Sequence, residues 1–207
     1  MNDPSASARD RNRRGHGARL REEIVATAIR MLDELADDQA LSLRAVAREI
    51  GIAATSVYLH FADRDDLVFA ALQQAHADLM KSVREAADQA ADPVAELRAR
   101  TLVLGGWAWQ HPGLYKVLHE STLNQRADMS FKRVLGEQTT DVVRRCIDQG
   151  LAREDDADEV SLDLRSAVHG AVSMRVNEPD LPWPPLDEQV DRYLIKLVGV
   201  TPAALAH

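Results

Sequence analysis

Ser42-Leu43-Arg44-Ala45-Val46-Ala47-Arg48-Glu49-Ile50-Gly51-Ile52-Ala53-Ala54-Thr55-Ser56-Val57-Tyr58-Leu59-His60-Phe61 decides how this chain is read. Its first half sets Leu43, Val46, Ala47 and Ile50 on one face of a short helix, and Ser42 is suited to cap it. Gly51 ends that helix, because glycine tolerates the left-handed backbone of a tight turn. A second short helix follows from about Ala54 to His60. Two short helices hinged at a glycine make a helix-turn-helix, whose second helix can enter a DNA major groove N-terminus first.

Working outward, Ile24, Val25, Ala28, Ile29, Leu32 and Leu35 recur at helical spacing and predict a supporting helix from Arg19 to about Leu35. Asp37-Asp38-Gln39 breaks it. Ahead of it, residues 1–17 are polar and arginine-bearing, and they are expected to form a flexible basic arm. Two readings of that arm stand open: a solvated tail, or a reach to phosphates and the minor groove through Arg11, Arg13 and Arg14. Beyond Phe61, Asp63 is placed to cap a fourth helix running to about Ala87, with Asp66 near its positive end. Asp92 and Pro93 open a fifth helix that reaches about Gln110. Gly105 and Gly106 inside it cost about 1 kcal/mol each relative to alanine, so they call for close packing, a kink or a ligand. Trp107 and Trp109 point to different faces.

Pro112 forces a break, followed by a short helix to about Glu120, a loop to about Ala127 and a long helix ending near Gly150. A further amphipathic helix is expected at 157–176. Four prolines then make residues 177–185 a stiff connection, and a last helix covers 186–198. The fold expected is all-α, about nine helices with no strand. It divides into the arm at 1–17, a DNA-binding unit at 18–64 and a helical ligand-binding and dimerisation unit at 65–207.

A chain of 207 residues, 45% hydrophobic, can bury a sizeable core. Its net charge of −8 argues against a uniformly nucleic-acid-binding surface, but the charges are segregated. Arg9, Arg11, Arg13, Arg14, Arg19 and Arg21 face only Asp3 and Asp10 at the start, whereas Glu154-Asp155-Asp156-Ala157-Asp158-Glu159 lies far off. Cys146 is the single cysteine, so no internal disulfide can form. It reads as inert core. With no apolar run long enough to span a bilayer and no signal-peptide pattern, a cytoplasmic protein without a membrane partner is expected. His111, His119, His169 and Cys146 lie on different elements without ligand spacing, so neither a metal nor a cofactor is expected. No nucleophile and base constellation stands out, and no enzyme is expected.

The run from Ile24 to Leu72 resembles the DNA-binding domain of the tetracycline-repressor (TetR) family. The likeness is carried by Gly51-Ile52, by Tyr58-Leu59-His60-Phe61 and by Asp63-Arg64-Asp65-Asp66-Leu67. Ala53 stands where the family often has a capping serine, and Thr55 where it often has glycine. The resemblance implies a ligand-responsive regulator, a repressor, that binds double-stranded palindromic operator DNA as a homodimer. It implies that Arg44, Tyr58, His60 and Arg64 approach the phosphates. Ala54, Thr55 and Ser56 open the recognition helix, where thymine-methyl contacts and DNA shape are expected to carry much of the specificity.

Trp109-Gln110-His111-Pro112-Gly113-Leu114-Tyr115 with Val168-His169-Gly170 resembles a subgroup marked by a tryptophan and a His-Gly pair, although Arg165 stands where that tryptophan is expected. From the family an apolar pocket for an apolar or aromatic effector is implied, with Trp107, Trp109, Tyr115, His119, Met129 and His169 as candidates. The last two helices are implied to form the dimer interface, Gly170 permitting close approach. Two rival readings are a small helical enzyme acting on an apolar molecule and a non-specific DNA-binding protein.

Overall fold

The computed structural model describes residues 4–125 and 127–205, with side chains from Gly17 onward. Among them are nine α-helices, joined by short 3-10 and π segments, and no strand. They fall into two compact units. One holds the chain up to Ala75 together with Gly113–Ala127; the other holds His76–Pro112 and the chain from Asp128.

In the first unit α1 is bounded Pro4–Leu35, and the side chains of the expected arm ahead of Gly17 lie outside the described residues. Ile24, Val25, Ala28 and Leu32 are buried as the periodicity requires, whereas Leu35 is exposed where the helix runs out. Ala36 ends the helix in a left-handed conformation, φ 51°, and its N–H still reaches the Leu32 carbonyl at 2.9 Å. A 3-10 turn, Asp38–Ala40, capped by Asp37, leads into α2, Leu43–Ile50. The Ser42 hydroxyl accepts the Ala45 N–H at 3.1 Å. Gly51 closes α2 at φ 79°. α3 spans Ala54–Tyr58, shorter than expected, because the His60 N–H turns back to the Val57 carbonyl in a 3-10 bond of 2.9 Å.

α4, Arg64–Ala87, opens on reciprocal bonds. Asp63 accepts the Asp66 N–H at 2.8 Å, while the Asp66 carboxylate accepts the Ala62 N–H at 3.1 Å. Val46, Val57, Phe61, Leu67 and Leu72 are fully buried in this unit. α6, Pro112–Glu120, contributes from Gly113 onward, and its first amides, Gly113 and Leu114, donate to the Asp33 carboxylate of α1 at 3.0 and 3.1 Å. A side chain at Gly113 would run into the Asp33 backbone, so only glycine fits there.

The second unit takes the rest of α4, then α5, Pro93–Gln110, α7, Arg133–Asp148, α8, Ala157–Asn177, and α9, Leu186–Tyr193. Asp92 caps α5 by accepting the Val94 and Ala95 N–H groups, with Pro93 at the first position. The stretch expected to lie in the long seventh helix ahead of Arg133 instead forms a 3-10 turn, Ser130–Lys132, and Phe131 there packs edge-on against His76, centroids 5.1 Å apart. α9 ends in a wider π segment, Leu194–Val198, closed by Gly199.

Leu97, Val142, Val143, Cys146, Leu164, Val190 and Leu194 form the core of this unit. Burial pushes the Cys146 thiol up to about 11, which keeps it protonated. Arg98 on α5 grips Asp191 on α9 at 2.6 Å. Glu96 on α5 pairs with Arg100 on its own helix and with Arg145 on α7. Arg165, where the subgroup resemblance places a tryptophan, lays its guanidinium across Gly136, where a side chain would meet it.

Candidate functional site

The recognition element is anchored from behind and bare in front. Val57 and Phe61 are fully buried, and the Phe61 N–H donates to the Val57 carbonyl at 3.1 Å. On the opposite side Thr55 is exposed, Tyr58 is 51% exposed and Leu59 is 85% exposed. Ala54, Ser56 and His60 are half-buried, and Arg44 is exposed on the first turn of α2. The hinge is fixed by two bonds, Gly51 N–H to the Arg48 carbonyl at 3.2 Å and Ile52 N–H to the Ala47 carbonyl at 2.9 Å. Ala53 leaves α3 without a side-chain cap.

Arg64 is already engaged. Its Nε and Nη2 donate to Asp65 Oδ1 at 3.0 and 2.6 Å, and its Nη1 donates to Gln39 Oε1 at 2.5 Å. These bonds use three of its five N–H donors, so a phosphate would meet the remaining two or replace one of these partners. Two further residues belong to this surface that sequence reasoning did not single out. Arg21 holds its guanidinium over the Phe61 ring, 5.0 Å from the centroid. Leu59 is a large apolar side chain left almost wholly in solvent; its spacing between buried Val57 and Phe61 was the available signal.

The six candidate effector residues are divided between the units. Tyr115 and His119, in the first, pack as tilted rings with centroids 4.5 Å apart, and burial raises the Tyr115 phenol above its ordinary value. In the second, Trp107 packs against His111 at 5.6 Å, Met129 precedes the 3-10 turn at Ser130, and His169 is exposed on α8. Trp109 lines a cleft. This cleft, about 230 Å³, is bounded by Gly105, Gly106 and Trp109 of α5 and by Val172, Arg175 and Val176 of α8. Leu186 closes it from α9, and a side chain at Gly105 would strike Leu186. At Gly106 the same addition meets open space. The two helix-interior glycines thus have separate reasons: one lets α9 approach, the other leaves room. Arg175 was not foreseen, though it shares a helix face with Val172 and Val176 at i, i+3, i+4 spacing.

Two family models match the chain: "Bacterial regulatory proteins, tetR family" over residues 24–71 and "Tetracyclin repressor-like, C-terminal domain" over residues 97–198. The chain belongs to the TetR family, a family of DNA-binding regulators and not of enzymes. HTH-type transcriptional regulator Mb1846 of Mycobacterium bovis is 34% identical over 87 residues, 39% of this chain and 36% of that protein. A solved protein of unknown function from Rhodococcus sp. RHA1 superposes with a TM-score of 0.73 at 23% identity, covering 86% of this chain and 95% of that one. SmeT in complex with triclosan does so at 0.66 and 22%, covering 89% and 93%. At these identities the two structures show a shared fold. Among the described residues no helix is long and apolar enough to cross a membrane.

Proposed function

We propose that this chain is a cytoplasmic transcriptional repressor that binds a palindromic DNA operator as a homodimer and releases it when a small organic molecule binds its regulatory half. The observation that carries the reading is the α2–turn–α3 unit, with Val57 and Phe61 locked into the core while Arg44, Thr55, Tyr58 and Leu59 stand exposed. Phosphate contacts then fall to Arg44, Tyr58, His60 and Arg64, and base contacts to Ala54, Thr55 and Ser56. Leu59 and the Thr55 methyl add apolar surface suited to thymine methyl groups.

A single head reads few base pairs, so two-fold pairing on a palindrome supplies the missing specificity. The outer face of α8 supports that assembly: Leu162 is 60% and Met174 47% exposed, and Gly170 has no atom near the place of a side chain. SmeT, a protein of the same fold, is solved with triclosan, which supports a small-molecule effector.

The test is fluorescence anisotropy against DNA from upstream of the chain's own gene and a scrambled duplex, over a range of salt. A preference for the upstream duplex, two protomers per site and an affinity that falls with salt are expected. Equal affinity for both duplexes, and for pools from a random-sequence selection, would overturn the reading in favour of non-specific binding.

A further inference from the structure

We infer that the α5–α8–α9 cleft is a binding site for a small organic anion, an acid with an apolar chain or ring, whose carboxylate is held by Arg175. The inference rests on the reading of the chain as a ligand-responsive regulator and gives the ligand a chemical class. Three observations carry it.

The first is an imbalance of charge. The other half-buried or buried arginines of this unit on the same helix stack have carboxylate partners: Arg98 has Asp191, and Arg100 has Glu96. Arg175 forms no ion pair among the described residues. Its Nε and Nη2 donate to Gln189 Oε1 at 3.1 and 2.6 Å, and Nη2 also to the Pro184 carbonyl at 2.7 Å. Each of those acceptors is neutral, and Nη1 is left without one. A guanidinium drawn partly out of water with no counter-ion binds an anion more strongly than a solvated one does.

The second is that the cation is held in place. Gln189 is buried, and its own Nε2 donates to the Tyr193 hydroxyl at 2.8 Å, which fixes the side of the amide that faces Arg175. The Trp183 ring lies 5.0 Å from the guanidinium carbon. An arginine fixed on three sides loses little side-chain freedom when it takes a ligand.

The third is the remainder of the wall. Gly106, Trp109, Val172, Val176 and Leu186 are apolar, and Gly106 leaves its side-chain space vacant. An apolar wall of about 230 Å³ with one cation suits a ligand with one charged end, and it excludes sugars and polyanions, whose other polar groups would lose water without gaining partners.

The test uses the full chain and three probes, octanoate, phenylpropanoate and octanol, with binding followed by calorimetry and operator release followed separately. At least one of the two acids is expected to bind at least about tenfold more tightly than octanol. Arg175→Gln is expected to abolish that preference while leaving octanol binding unchanged; a purely structural role for Arg175 would lower all three alike or none. Gly106→Leu, whose first side-chain carbon enters open space, is expected to abolish binding of every probe while the protein stays folded and bound to DNA. The inference is overturned if neither acid exceeds octanol, or if Arg175→Gln retains the preference. Charge-selective binding without any operator affinity would instead sustain the site and defeat the regulator reading.

Discussion

Arg64 illustrates how a residue at a motif position can be held back by its neighbour. Its guanidinium is shared between Asp65 and Gln39, so part of its charge is neutralised before DNA arrives. Asp65→Asn removes the competing carboxylate and a negative charge from the first turn of α4. Operator affinity at low salt is expected to rise about two- to fivefold, the equivalent of roughly 0.5–1 kcal/mol. Anisotropy titrations of the variant check this, and no change, or a loss, would mean that Arg64 stays with Gln39 in the complex. Arg175 makes the opposite case, a cation that the fold brackets with neutral acceptors.

At the scale of elements, glycine substitutions separate two uses of the same residue. Gly113→Ala drives a methyl group into the Asp33 backbone and is expected to cost about 1–3 kcal/mol through overpacking, with the loss of the α6 start. Gly106→Ala, in open space within a helix, is expected to stabilise the protein by roughly 0.5–1 kcal/mol through helix propensity. Thermal unfolding of both variants decides it: equal shifts would contradict the packing described. The same contrast shows what the sequence made legible. The caps at Ser42, Asp63 and Asp92 are local patterns, three residues or fewer from the amides they serve, and each is found where the pattern puts it. The cap of α6 comes from Asp33, 80 residues away, and no local rule reaches that far. The 3-10 turn that takes in Phe131, whose ring packs on His76, likewise departs from the local pattern, as does the left-handed Ala36. The cleft followed the same division: Gly105 and Gly106 advertised a space in α5, but the arginine in its wall became visible only once α8 and α9 were folded beside it.

Across the whole molecule, His76 links stability to pH. It is 5% exposed, and burial first, then the nearby Lys132 charge, hold its pKa below the ordinary 6.5. The unfolded chain therefore takes up a proton that the folded chain refuses. The stabilisation from this group is fully present above pH 6.5, declines as pH falls below that value, and levels off below the folded pKa. Urea unfolding midpoints are expected to drop between pH 7 and 5, and His76→Gln is expected to flatten that slope; an unchanged slope in the variant would remove His76 as its cause.

The borrowed cap on α6 also bears on how such a protein can be recombined. Because Gly113–Ala127 folds with the first unit, that unit is discontinuous along the chain, interrupted in sequence by His76–Pro112 of the second. A chimera spliced once within α4 to give this regulatory half a foreign recognition head would therefore exchange Asp33 while keeping Gly113. A transplant meant to be neutral has to carry both partners, or supply from the foreign first helix a carboxylate at the same station. Modularity in this chain is a matter of matched pairs of residues and not of a single cutting point.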